Sequence, residues 1–171
     1  MYSLIFGGAL CVCSTYIGFA IKKNLACKKM FFVEWLNFVQ FLSQNINFLK
    51  KPICEIIDSF VGGENLGKKS SFKNLLLAYK NLIENCQITN SNLDEIIKKY
   101  CPIANNQQKN VKDFFATLGT IDKESQLNNL NLLIEYIKKN IGICEKNCVS
   151  TGALSCKLGF VIGLAIMIII G

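Results

Sequence analysis

Charged residues stop short of both ends of this chain, and between those ends apolar residues recur every three or four positions. Met1–Ile21 and Leu158–Gly171 carry no charged side chain; all 19 basic and 12 acidic residues lie between Lys22 and Lys157. A helix needs about 20 apolar residues to cross a bilayer, and the first run reaches that length. The second gives 14 uncharged residues, roughly 21 Å of helix. Its crossing segment is therefore predicted to start near Val149, with Lys157 reaching toward an interface along its aliphatic stem. The expected division is a transmembrane helix over 1–21, a helical domain over 22–148 and a second transmembrane helix over 149–171.

In the middle region Phe32, Trp35, Val39, Leu42, Ile46 and Leu49 form a heptad-type stripe on one helix face. Pro52 suits the first position of a short helix through Phe60, closed by Gly62 and Gly63. After a loop to Ser70, a third helix capped by Ser70 or Ser71 is predicted to bury Phe72, Leu75, Leu76, Tyr79, Leu82, Ile83 and Cys86. A fourth, capped by Ser91 with Asp94 and Glu95 in its first turn, ends at Cys101-Pro102. A fifth covers Asn105 to Leu118 and stops at Gly119. Asp122 is expected to cap the last and longest helix. Its stripe of Leu127, Leu130, Ile134, Ile137, Ile141, Cys144 and Cys148 points into the second apolar run; unbroken, that helix would reach Ile170. No segment alternates with period two. The predicted fold class is all-α: a cytoplasmic antiparallel helical bundle flanked by an N-terminal and a C-terminal transmembrane helix. The first and last helices are expected to be antiparallel neighbours, joining membrane and bundle in one rigid unit.

The apolar runs have small-residue faces, Gly7, Cys11, Ser14 and Gly18 in the first and Gly152, Ser155, Gly159 and Gly163 in the second. Small faces let helices approach closely in lipid, where packing drives association. Gly7, Ser14, Gly18, Gly159 and Gly163 are accordingly the candidate membrane-packing residues, against each other or against a larger assembly. Lys22, Lys23, Lys28 and Lys29 follow the first run, which places the middle of the chain in the cytoplasm and both termini on the opposite side. A cleaved signal peptide would carry its basic residues ahead of the apolar core. Asn24-Leu25-Ala26-Cys27 ends like a lipoprotein cleavage site, but Asn24 stands where an aliphatic residue belongs.

Composition narrows the chemistry. Much of the net charge of +7 comes from the membrane-proximal lysines, which favour anionic lipid head groups. With no arginine for bidentate base contacts, nucleic acid is not an expected partner. No histidine occurs, which removes the commonest general base and the usual nucleophile pairs; no catalytic residue is nominated and no enzyme activity is expected. Nine cysteines, an odd number in a cytoplasmic domain, argue against a disulfide framework. Cys144 and Cys148 could form half of a metal site, but zinc needs four ligands, and the pair reads more simply as two core positions of the stripe. No metal, cofactor or small-molecule substrate is expected. Gly62-x4-Gly67-Lys68 looks like the start of a phosphate-binding loop, yet Lys69 occupies the magnesium-binding Ser/Thr position and the loop follows a helix instead of a strand. It reads as a solvated loop.

The segments CSTYIGFAIKKN, LGTIDKESQLNNLNLLIEYI and CKLGFVIGLAIMIIIG, in this order and spacing, resemble the stage III sporulation protein AB family of endospore-forming bacteria over nearly the full chain. Matching positions are Ser14, Thr15, Gly18 and Phe19; Pro52 and Ile53; Leu118, Gly119, Asp122, Glu124 and Gln126; and Lys157, Leu158, Gly159 and Gly163. The resemblance implies a non-enzymatic scaffold similar to the F-type platform proteins of type II secretion. It would sit in the mother-cell membrane facing the forespore, within the channel complex joining the two cells, beside a secretion-type ATPase and other channel subunits. Where members of the family usually carry acids and a tyrosine before the proline, this chain has Ser43, Asn45 and Phe48. ATPase docking is then expected to fall to Glu34, Glu55 and Asp58, with Asp122, Glu124 and Gln126 as further partner-binding candidates. Two other classes are weighed against this: a thiol redox or metal-binding membrane protein using Cys11, Cys13, Cys144 and Cys148, and a small pore-forming protein.

Overall fold

The computed structural model describes residues 2–48, 52–63, 66–67, 70–118, 123–152, 157–158, 161, 165 and 168, without the side chains of 2–11, 14, 46–48, 123–126 and 151–152. Among these residues six α-helices are delimited: α1 (Tyr2–Phe48), α2 (Ile53–Gly62), α3 (Ser71–Glu84), α4 (Asn90–Tyr100), α5 (Asn105–Thr117) and α6 (Lys123–Asn147). A π turn, Cys148–Gly152, follows α6. With no strand among the described residues, the all-α expectation holds. Among those residues no helix is long and apolar enough to cross a membrane. Most side chains of the two predicted spans lie outside the described residues.

The chain forms two compact units, one of Met1–Lys29 with Ile141–Gly171 and one of Met30–Asn140. In the second unit the stripe of α1 is buried at Phe32, Trp35, Val39 and Leu42, as its spacing predicts, while Ile46 and Leu49 lie outside the described side chains. Phe31 and Phe38 are buried as well, so the apolar face is wider than one heptad seam. The reason is packing on several sides. Phe38 meets Phe60 of α2 at 5.2 Å, Phe72 of α3 at 5.8 Å and Phe114 of α5 at 6.3 Å between ring centroids, mostly edge to face. Aromatic pairs in these geometries add about 0.5–1.5 kcal/mol beyond the area they bury. Tyr79 of α3 lies 4.6 Å from the Phe115 ring and donates its hydroxyl to the Phe115 carbonyl at 2.9 Å; burial raises its pKa to about 12. Asn140 of α6, also buried, accepts from the Gln107 amide at 2.8 Å and donates to the Tyr136 carbonyl. These bonds satisfy polar groups that would otherwise oppose packing.

Helix ends depart from the sequence reading in detail. Pro52 is the N-cap of α2 instead of its first residue. Ser70 caps α3, accepting from the Lys73 backbone N–H at 2.9 Å. Thr89, and not Ser91, caps α4 by accepting from the Asn92 N–H. Asp94 is thereby moved beyond the first turn, where it pairs with Lys112 of α5 at 2.7 Å. Leu118 is the C-cap of α5, and Gly119 and Asp122 lie outside the described residues.

The largest correction at a helix end is Cys86, predicted as core and found exposed, with Leu82 and Ile83 only half-buried. α3 stops at Glu84, and Cys86 takes φ 53°. Its N–H bonds the Ile83 carbonyl, and that of Gln87 bonds the Leu82 carbonyl, the paired bonds of a Schellman ending. Left-handed backbone costs a residue with a Cβ about 1–2 kcal/mol relative to glycine. Cys86→Gly is expected to recover about 1 kcal/mol, visible as a higher midpoint in thermal unfolding.

In the other unit, Lys29 of α1 pairs with Glu145 of α6 at 2.9 Å, and this hydrogen bond raises the lysine pKa. Gly18 is buried, between exposed Ile17 and Phe19. Cys144 and Cys148, expected in the core, are each half-buried. The stripe of α6 also does not run on unchanged. At Cys148 the α-helical bonding that sets the stripe gives way to the wider i→i+5 pattern of a π turn.

Candidate functional site

Of the acids proposed for docking, Glu34 lies inside the bundle, 5% exposed. Its neighbours one turn away on α1, Phe31 and Phe38, belong to the buried aromatic face and carry it inward. Its Oε2 accepts from the Ser70 hydroxyl at 2.6 Å, the short distance of a charge-assisted bond. The same Ser70 oxygen caps α3, so one carboxylate holds the loop preceding α3 to α1 and faces a helix N-terminus, where negative charge is favoured. Glu34 Oε1 and Trp35 Nε1 are buried without a hydrogen-bond partner among the described residues. Glu34 is thus an interior structural acid and not a surface contact. Its apolar neighbours three and four positions away were the sequence signal for this.

Glu55 and Asp58 of α2 are exposed. Lys80 of α3 donates to both Asp58 carboxylate oxygens, at 2.6 and 2.7 Å, and also lies 3.4 Å from Glu84. The hydrogen bond that Lys80 donates to Asp58 is the main reason its pKa is raised. The surface therefore presents two acids around one lysine, with exposed Glu55 one turn before Asp58 on α2, a locally negative patch on a chain of net charge +7. Glu84 was not among the nominated residues; nothing in its own helix linked it to α2.

Asp122 lies outside the described residues, and Glu124 and Gln126 belong to α6 without described side chains. The same holds for Gly7 and Ser14 of α1, while Gly159 and Gly163 lie outside the described residues.

Three of the thiols, Cys54, Cys101 and Cys144, are poorly suited to redox chemistry. Burial pushes Cys101 up to about 12 and raises Cys54 and Cys144, so the reactive thiolate is disfavoured. Among the described residues no three potential ligands come together to hold a metal ion. The glycine loop follows helix α2, and its Ser70 is committed to Glu34 and the α3 cap instead of standing free for a metal. Both observations agree with a structural loop.

The described residues thus define a class: an all-helical protein whose marked polar features are an interior carboxylate and a patch of surface acids. The chain belongs to the stage III sporulation protein AB family, whose model matches residues 3–170, and it is therefore sporulation-related. A search of curated proteins gives no match, and a search of solved structures gives none.

Proposed function

We propose that this protein is a non-enzymatic membrane scaffold of the channel between mother cell and forespore, coupling a cytoplasmic ATPase to the channel much as an F-type platform subunit does in type II secretion. The observation that carries the membrane part is where large apolar side chains face outward. Val12, Tyr16, Ile17 and Phe19 near one end, and Val149, Leu158, Val161 and Ile168 near the other, are all about half exposed or more. In water, so concentrated an apolar surface is unfavourable; in lipid it is required. Together with the charge-free runs and the lysines that follow the first of them, this supports two spanning helices, a cytoplasmic bundle and both termini across the membrane.

Within this reading the ATPase meets the patch of Glu55, Asp58 and Glu84, which offers charge complementarity to a basic partner surface. Glu34 is too deeply buried to share in that contact. Glu55→Lys with Asp58→Lys is expected to weaken binding of the cognate ATPase by on the order of tenfold or more, read by pull-down with detergent-solubilised full-length protein. Unchanged binding would remove the docking face, and no binding by the wild type would remove the coupling role.

A further inference from the structure

Within the unit Met30–Asn140, α5 and α6 leave an apolar groove of about 380 Å³, whose lining includes Phe114, Leu118, Leu130, Leu133 and Tyr136. Leu132 stands at its edge, 67% exposed, more than any other large apolar side chain described in that unit. An apolar cavity of about 150 Å³ already accepts a benzene-sized group, so the groove has room for a leucine side chain. Its lining contains a single charged residue, Asp113, and no lysine, although the chain has 19. One turn before Asp113 on α5 is Lys109; both are exposed, and neither joins the ion pairs found among the described residues.

We propose that this groove is a homodimer interface. A protruding leucine beside an apolar hollow is self-complementary: across a two-fold axis each copy offers the knob and receives it. The charges obey the same symmetry. Asp113 can meet Lys109 of the partner subunit while Lys109 meets Asp113 of the partner subunit, which doubles every contact. Two chains of charge +7 repel each other over most of their surface, and this lysine-free groove is where they approach at least cost. The inference is independent of the membrane and ATPase readings.

The test is the mass of the full chain in mild detergent, by light scattering in the micromolar range. The wild type is expected to be dimeric. Leu132→Glu and Asp113→Lys should each raise the dissociation constant by on the order of tenfold or more, with helix content by circular dichroism unchanged. Asp113→Lys combined with Lys109→Asp should restore the dimer, because the swap rebuilds both ion pairs across the axis; a folding defect would not be repaired in this way. A monomeric wild type, a dimer indifferent to Leu132→Glu, or a swap that fails to restore association would overturn the proposal.

Discussion

Replacing Trp35 by alanine is expected to cost about 3–5 kcal/mol, the range for removing a large aromatic side chain from a packed core. Trp35 is fully buried and touches two elements, stacking on Phe32 at 6.2 Å within α1 and meeting Phe114 of α5 at 6.1 Å. The bundle offers no small side-chain movement that fills the space, because Phe31 already meets Phe72 edge to face and Phe38 meets Phe60 in the same way. Against a typical domain stability of about 5–15 kcal/mol the loss is large. It should lower the thermal midpoint by on the order of 10 °C or more. A shift of only a degree or two would mean that Trp35 is not at the packing centre of the bundle.

The second large effect is expected at Ser70. Ser70→Ala removes a hydrogen bond to a carboxylate, about 1.5–3 kcal/mol, and an N-cap, about 1 kcal/mol. It also leaves Glu34 in the interior without its described partner. A total near 3 kcal/mol follows, measured by denaturant unfolding. In a Glu34→Leu background the same Ser70→Ala change should cost only the cap, about 1 kcal/mol, since replacing both partners of a buried polar pair by apolar groups is far less costly than removing one. Equal costs in the two backgrounds would show that the carboxylate and hydroxyl are not coupled.

How much of this could be read in advance differs from residue to residue for physical reasons. Phe32, Trp35, Val39 and Leu42 were legible because a helix with one buried face must repeat at three and four. Phe31 and Phe38 were not, because their burial depends on α2, α3 and α5 converging on α1 from several directions. Local chemistry narrowed the cap of α3 to Ser70 or Ser71, whereas the second role of Ser70 requires Glu34, 36 positions earlier in the chain. The exposure of Cys86 turned on where α3 ends, and a cysteine gives no warning of a left-handed residue as a glycine would. Among the proposed docking acids, Glu55 and Asp58 lie on the surface, while the interior place of Glu34 separates a structural from a contact role that composition alone does not distinguish. The groove between α5 and α6 was invisible in the sequence, since Leu132 lies on the same helix as the stripe of Leu130 and Ile137 and differs from it only by a rotation around the axis.

The proposed cytoplasmic bundle held by two membrane spans has a native reporter in Cys86, exposed on the unit Met30–Asn140. Protoplasts containing the full-length protein are treated with a membrane-impermeant maleimide, and labelling at each cysteine is read by peptide mass. The expected result is no label on Cys86 in intact protoplasts and full label after permeabilisation. Labelling of Cys86 in intact protoplasts would contradict the topology and the scaffold built on it.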